Sequence, residues 1–136
     1  MPYTTRISIA FGDTDPAGLV YYPNIFHYCH LAMERFVAEL FGVAYSQLIA
    51  EHRIGFPTVK VSAEFFVPIV YGDDIDVEVE VLKIGNASLD LGYSIKRASD
   101  QTVCARIEQT HVTMNLDQKK SLTLPPHLRD ALRNAD

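Results

Sequence analysis

The sequence predicts an α+β fold in which about five antiparallel strands surround one long apolar helix. Three observations carry this. Between Asn24 and about Phe41 the apolar residues Ile25, Cys29, Ala32, Phe36 and Leu40 recur at helical spacing, flanked by Phe26, Met33 and Val37. That stripe is wider than a surface helix needs, so the helix is expected to be buried on most sides. From Thr58 onward the period changes to two, with Val59, Val61, Ala63, Phe65 and Val67 on one face and Ile75, Val77, Val79 and Val81 opposite Asp76, Glu78 and Glu80. Turn residues separate these runs at short intervals, which joins neighbouring strands antiparallel.

In chain order, residues 4–11 (TTRISIAF) alternate in part and set Ile7 and Ile9 on one face of a first strand. Pro23 suits the first position of the long helix, where its missing N–H costs nothing, and Gly42 suits the stop. A short helix is expected over Tyr45 to Glu51. The run SLDLGYSIKR repeats the strand pattern through Leu89, Leu91, Tyr93 and Ile95, and a last strand is expected from Val103 to about Leu116. Within it the apolar phase moves from Val103, Ala105 and Ile107 to Val112, Met114 and Leu116, which predicts a β-bulge near Gln109. Turns are marked by Pro68 with Gly72, by Gly85-Asn86 and by Ser99-Asp100, and LPPHLRDAL reads as a short closing helix started by proline.

Composition narrows the class. A chain of 136 residues with 48% hydrophobic content forms a single domain over residues 1–136, large enough to bury roughly two-thirds of its unfolded surface. The net charge of −5 and basic residues that form no cluster larger than a pair argue against a nucleic-acid surface. No apolar run reaches the ~18 residues a membrane span needs, and no secretory signal pattern opens the chain, so a cytoplasmic protein without membrane insertion is expected. Cys29 and Cys104 lie in apolar segments without paired spacing and read as buried free thiols.

The stretch FGDTDPAGLVYYPN, residues 11–24, sets two acids, two prolines and two glycines just ahead of the long helix. One reading makes Asp13, Thr14 and Asp15 turn formers that satisfy loop backbone groups. The other gives Asp15 a chemical role: the turn is stiffened by Pro16, opened by Gly18, and placed where the first backbone N–H groups of the helix lack partners. A carboxylate beside such donors can act as nucleophile or general base while the donors hold developing oxyanion charge. The G-x-S-x-G elbow of serine-dependent hydrolases is absent from the sequence.

This turn, with the apolar helix after it, resembles the active-site signature of the 4-hydroxybenzoyl-CoA thioesterase family, which has the hot-dog fold. D-x-D-P-A-G with Y-P-N carries the resemblance, and I-G-F-P-T-V-K-V-S-A-E-F, the Y-G-D-D turn and the later strands follow in the family's order, so it spans nearly the whole chain. It implies hydrolysis of an acyl-CoA to free acid and CoA, in homo-oligomers whose active sites lie between subunits. Asp15 is then the catalytic carboxylate and the backbone N–H of Tyr22 the oxyanion donor. Phe56, Pro57 and Thr58 border the acyl pocket from the facing subunit. No metal and no cofactor are required, coenzyme A being part of the substrate. A homodimer is the minimum expected, since it removes a bare strand edge, and a homotetramer is what the resemblance adds. Asp13 is expected to be structural.

His27, His30 and Glu34 share one face of the helix. They line a pocket, or form a solvated stripe with His30 and Glu34 paired across one turn; a metal site lacks further ligands of obvious spacing. In the family an acidic side chain at the position of His30 helps recognise the aromatic acyl group. This chain has histidine there, and a neutral imidazole can still bond a ring hydroxyl. The family's phosphate-binding arginines are also missing: the corresponding turn reads K-I-G-N-A-S. Lys83, Lys96, Arg97, Lys119 and Lys120 are the cations left for the CoA phosphates. The expected substrate is an aromatic acyl-CoA resembling 4-hydroxybenzoyl-CoA. The alternatives are a short aliphatic acyl-CoA, an acyl group on acyl carrier protein, and a non-catalytic acyl-CoA binder.

Overall fold

The computed structural model describes residues 3–135, and they form the expected α+β arrangement. The chain runs β1 (Tyr3–Ser8), a single 3-10 turn (Phe11–Asp13), α1 (Pro23–Phe41), α2 (Tyr45–Ala50), β2 (Ile54–Gly55), β3 (Thr58–Phe65), β4 (Asp74–Ile84), β5 (Ser88–Arg97), β6 (Val103–Val112), β7 (Met114–Asn115), β8 (Lys120–Ser121) and α3 (Pro126–Asn134). Five strands make one antiparallel sheet in the order β1-β4-β5-β6-β3, and β2, β7 and β8 make a small second sheet.

Period-two patterning decides which face is buried. Ile75, Val77 and Val79 of β4 and Leu91, Tyr93 and Ile95 of β5 are fully buried, each aliphatic side chain contributing about 1.5–3 kcal/mol. They pair across the sheet, Val77 with Ile95 and Val79 with Tyr93, and α1 covers them with Ile25, Cys29, Ala32, Met33 and Phe36. Pro23 opens α1, and Gly42 ends it at φ 69°, the left-handed conformation that a side chain resists. The backbone of α1 lies closest to β1, β4, α2 and α3, toward one side of the sheet. No helix among the described residues is long and apolar enough to cross a membrane. Both cysteines are buried and free.

The acidic face of β4 is less wet than its alternation suggests, because basic residues of its own sheet cover it. Arg6 donates two hydrogen bonds to Asp76, at 2.9 and 3.1 Å, and Gln101 donates a third at 3.0 Å. Lys96 meets Glu78 at 2.7 Å and Arg106 meets Glu80 at 2.8 Å. Arg6 accordingly holds the Asp76 carboxyl below its ordinary value.

Two sequence expectations are corrected. The bulge near Gln109 is absent: Gln109 pairs in continuous register with Leu91 on one side and Val61 on the other. From Ala105 onward the odd positions of β6 stay inward, and Gln109, His111 and, beyond the strand end, Thr113 fill them with buried polar side chains. The apolar phase changes later because the chain leaves β6 and joins the second sheet, where Met114 pairs with Gly55. The register instead shifts between Thr58 and Lys60. The second correction concerns β3, predicted to have one wet face. It is one of the sheet's two outer strands, and Val59, Val61 and Phe65 on its apolar face are 62%, 46% and 48% exposed.

Candidate active site

The loop before α1 is built from local hydrogen bonds that assign the two acids different positions. Asp13 Oδ2 accepts hydrogen bonds from the Ala10 N–H at 3.1 Å and from the Tyr28 hydroxyl at 2.8 Å. Its carbonyl accepts from the Tyr21 N–H and the Asn24 side-chain amide, both at 2.9 Å. Asp13 therefore ties the loop to the first turns of α1, as expected of a structural acid. Burial and the neighbouring Asp13 carboxylate push the Tyr28 hydroxyl well above its ordinary range, which keeps it a donor.

Asp15 sits on the next tight turn. Its N–H donates to the Leu19 carbonyl at 2.8 Å, its carbonyl accepts from Gly18 at 2.9 Å, and Gly18 adopts φ 82° to close the turn. The carboxylate accepts from the Ala17 N–H at 2.9 Å and the Leu19 N–H at 3.4 Å, both through Oδ1. Among the described residues no donor reaches Oδ2. One oxygen is pinned by backbone and the other is open.

The start of α1 leaves one donor unused. The Asn24 N–H bonds the Tyr21 carbonyl and the Ile25 N–H bonds the Tyr22 carbonyl, while Pro23 has no N–H. The Tyr22 N–H has no acceptor among the described residues, and it lies at the positive end of the helix dipole. Beside it an apolar cleft of about 300 Å³ runs between Leu19, Tyr22, Ile25, Phe65, Phe66 and Ile69. The Tyr22 and Phe26 rings each meet Phe65 edge-on at 6.4 Å, which sets the start of α1 against the far end of β3.

The other residues singled out from sequence gather elsewhere. His30 and Glu34 form the i,i+4 pair at 3.7 Å, both partly exposed, and the His30 ring meets Tyr45 edge-on at 6.0 Å. His27 is exposed. Phe56 is buried with its ring stacked on Phe41 at 6.5 Å, Pro57 is half-buried, and Thr58 is exposed at the start of β3. About 23 Å of extended strand separates Thr58 from Phe65, so within one chain this group does not meet Asp15 and Tyr22. Of the cations left for CoA phosphates, Lys96 is paired with Glu78 and Arg97 with Asp100. Lys83, Lys119 and Lys120 are exposed.

Sequence reading missed His111. It is 1% exposed on the inner face of β6, with Nδ1 at 3.1 Å from the Phe56 carbonyl and 3.3 Å from Thr58 Oγ1, and Nε2 at 3.2 Å from the Tyr93 hydroxyl. Desolvation lowers its pKa, and of its charged surroundings His30 lowers it further while Asp90 opposes. The only sequence signal was a polar residue at an inward strand position, which resembles a change of apolar phase.

Comparison with known proteins now decides the family. The thioesterase-like superfamily matches residues 9–132 of the chain. The chain belongs to that superfamily. A 1,4-dihydroxy-2-naphthoyl-CoA hydrolase of Picosynechococcus sp. is 30% identical to it, over 99% of this chain and 94% of the relative. Among solved structures, a 1,4-dihydroxy-2-naphthoyl-CoA thioesterase from Synechocystis superposes with a TM-score of 0.87 at 25% identity, covering 98% of this chain and 97% of that one. A gentisyl-coenzyme A thioesterase superposes with a TM-score of 0.86 at 27% identity, covering 97% and 100%. The hot-dog fold of the thioesterase-like superfamily thus accounts for the whole sheet and α1.

Proposed function

We propose that this protein is an acyl-CoA thioesterase for an aromatic acyl group, with Asp15 as the catalytic carboxylate and the Tyr22 N–H as oxyanion donor. The observation that carries the reading is a carboxylate with one oxygen pinned and one open, on a loop that enters a helix whose first N–H is unused. The open oxygen attacks the thioester carbonyl directly or takes a proton from the attacking water. Charge then builds on the carbonyl oxygen, which the Tyr22 N–H stabilises. The C–S bond breaks and CoA leaves as the thiolate and is protonated; where water attacked, the acid is released at once, and where Asp15 attacked, water then hydrolyses the Asp15–acyl anhydride to the acid and the free carboxylate. An aromatic substrate is favoured by the relatives, which are named for naphthoyl-CoA and gentisyl-CoA.

The working unit in this reading is a homodimer paired through β3. Val59, Val61 and Phe65 are exposed on an outer strand, a surface that association removes from water. Antiparallel pairing of two β3 strands sets Phe65 of one chain near Thr58 of the partner subunit. It thereby brings the Asp15 and Tyr22 end of each chain to the His30, Phe56 and Thr58 end of the other. Two such dimers form the tetramer in this reading, and His30 stands among the groups that meet the acyl ring.

The test is free-thiol release from a panel of aromatic and aliphatic CoA thioesters by wild type and Asp15→Asn. The variant should keep its circular dichroism and its mass in solution while kcat falls roughly 10²-fold or more. Unaltered turnover removes Asp15 from the mechanism. Val61→Lys on the β3 face should yield monomers with little activity; a fully active monomer would sink the shared-site arrangement.

A further inference from the structure

The hydrogen bonds around His111 fix more than the packing of one ring. The Phe56 carbonyl can only accept, and it lies 3.1 Å from His111 Nδ1, so Nδ1 carries a proton. The neutral ring, favoured by burial at 1% exposure, then has a bare Nε2, and the Tyr93 hydroxyl at 3.2 Å donates to it. Tyr93 is itself fully buried, and burial holds its hydroxyl protonated. The same Nδ1–H faces Thr58 Oγ1 at 3.3 Å. Thr58 cannot donate to a nitrogen that already bears a proton. Its oxygen accepts, and its own proton is directed elsewhere. Thr58 is exposed, and among the described residues its hydroxyl has no other partner.

We propose that His111 is a positioning residue that sets the Thr58 hydroxyl as a hydrogen-bond donor into the acyl pocket, so that the site selects acyl groups bearing an oxygen acceptor on the ring. This rests on the thioesterase reading above, in which Thr58 borders the pocket of the partner subunit. The chain runs Tyr93 O–H to His111 Nε2, His111 Nδ1–H shared between the Phe56 carbonyl and Thr58 Oγ1, and Thr58 O–H to substrate oxygen. Every member is neutral, and each fixes the direction of the next. A hydroxyl held as a donor penalises a bare hydrocarbon ring, because the pocket then leaves that donor unpaired. Gln109, one inward position along β6 and 7% exposed, has no side-chain partner among the described residues and supplies a second polar group on the same face.

Two measurements test this. Long-range ¹H–¹⁵N spectra of the ¹⁵N-histidine-labelled protein, assigned by comparison with His111→Asn, should show His111 neutral with the proton on Nδ1 at pH 7. A proton on Nε2, or a charged ring, overturns the proposal without reference to activity. The second is the ratio of kcat/KM for the three monohydroxybenzoyl-CoA isomers to that for benzoyl-CoA. Wild type should favour at least one isomer, and Thr58→Val should lower that ratio roughly tenfold, mainly through KM, the scale of one hydrogen bond. His111→Phe should lower it similarly, His111→Asn should retain most of it because an amide N–H replaces Nδ1–H, and Thr58→Val combined with His111→Phe should add little. A ratio unchanged in Thr58→Val overturns the proposal even if His111→Phe fails to fold. If wild type releases thiol from no thioester, the thioesterase reading itself fails and the substrate preference falls with it, while the tautomer still decides how Thr58 is oriented.

Discussion

Removing the Asp13 side chain should loosen the loop without touching the chemistry, and its cost can be worked out bond by bond. In Asp13→Ala the carbonyl bonds to Tyr21 and Asn24 survive, because they belong to the backbone. The Ala10 N–H is exposed, so water replaces its lost acceptor at little cost. The Tyr28 hydroxyl is different. Tyr28 is 2% exposed, and a buried hydroxyl stripped of its acceptor costs about 1–3 kcal/mol. A loss near 2 kcal/mol is expected, which lowers Tm by about 5–10 °C for a domain of this size. Tyr28→Phe removes the donor and leaves Asp13 its Ala10 bond and water, for about 1 kcal/mol. The double variant should cost little more than Asp13→Ala alone. Urea unfolding of the four proteins at matched m-values measures the coupling, expected at about 1 kcal/mol. Losses that add to within about 0.4 kcal/mol would refute the idea that Asp13 acts through Tyr28. Folded Asp13→Ala should also retain far more turnover than Asp15→Asn, since the Asp13 carboxylate is committed to Ala10 and Tyr28 and Asp15 is the acid the proposal assigns to the chemistry.

Other expectations follow from single residues. Arg6 depresses the Asp76 pKa, so the stabilisation is present above the ordinary carboxylate range and is lost as pH falls through the lowered value; Asp76→Asn should be less stable than wild type at pH 7, and the two should converge in acid, below the ordinary carboxylate range. His111 is depressed from 6.5, so the unfolded chain takes up its proton first and stability falls as pH drops below that value; His111→Asn should show a shallower decline between pH 7 and 5 in urea titrations. Gly42→Ala forces a side chain into φ 69° and should cost about 1 kcal/mol, read as a lower urea midpoint. Burial pushes the Cys29 thiol up to about 12; it should resist a disulfide reagent in native buffer and react at once in denaturant.

Much of this was legible in the chain because it depends on local period and local hydrogen bonding. The stripe from Ile25 to Leu40 marked α1, Pro23 and Gly42 marked its ends, and alternation marked β4 and β5. The local hydrogen bonding of Asp13 and Asp15 was also within reach of the sequence, since their partners lie in a short loop and the helix it enters. Where reading failed, partners lay far apart in sequence. Gln109 and His111 looked like a slip of phase because period alone does not expect polar residues inward, and for His111 the burial is explicable only once its partners, Phe56, Thr58 and Tyr93, are in place. The carboxylates of β4 looked solvated because Arg6, Lys96 and Arg106 reach them only across the sheet.

The sequence by itself determined the elements and the loop that presents Asp15, because spacing, capping and turn chemistry act over a few residues. The tertiary structure alone decided that β3 is an outer strand with an exposed apolar face, that His111 is buried among hydrogen-bond partners, and that Thr58 stands a strand's length from Phe65, the residue that meets Tyr22. Those are properties of strand order and register, and the cost of burying His111 is offset by the hydrogen-bond partners that distant segments bring it.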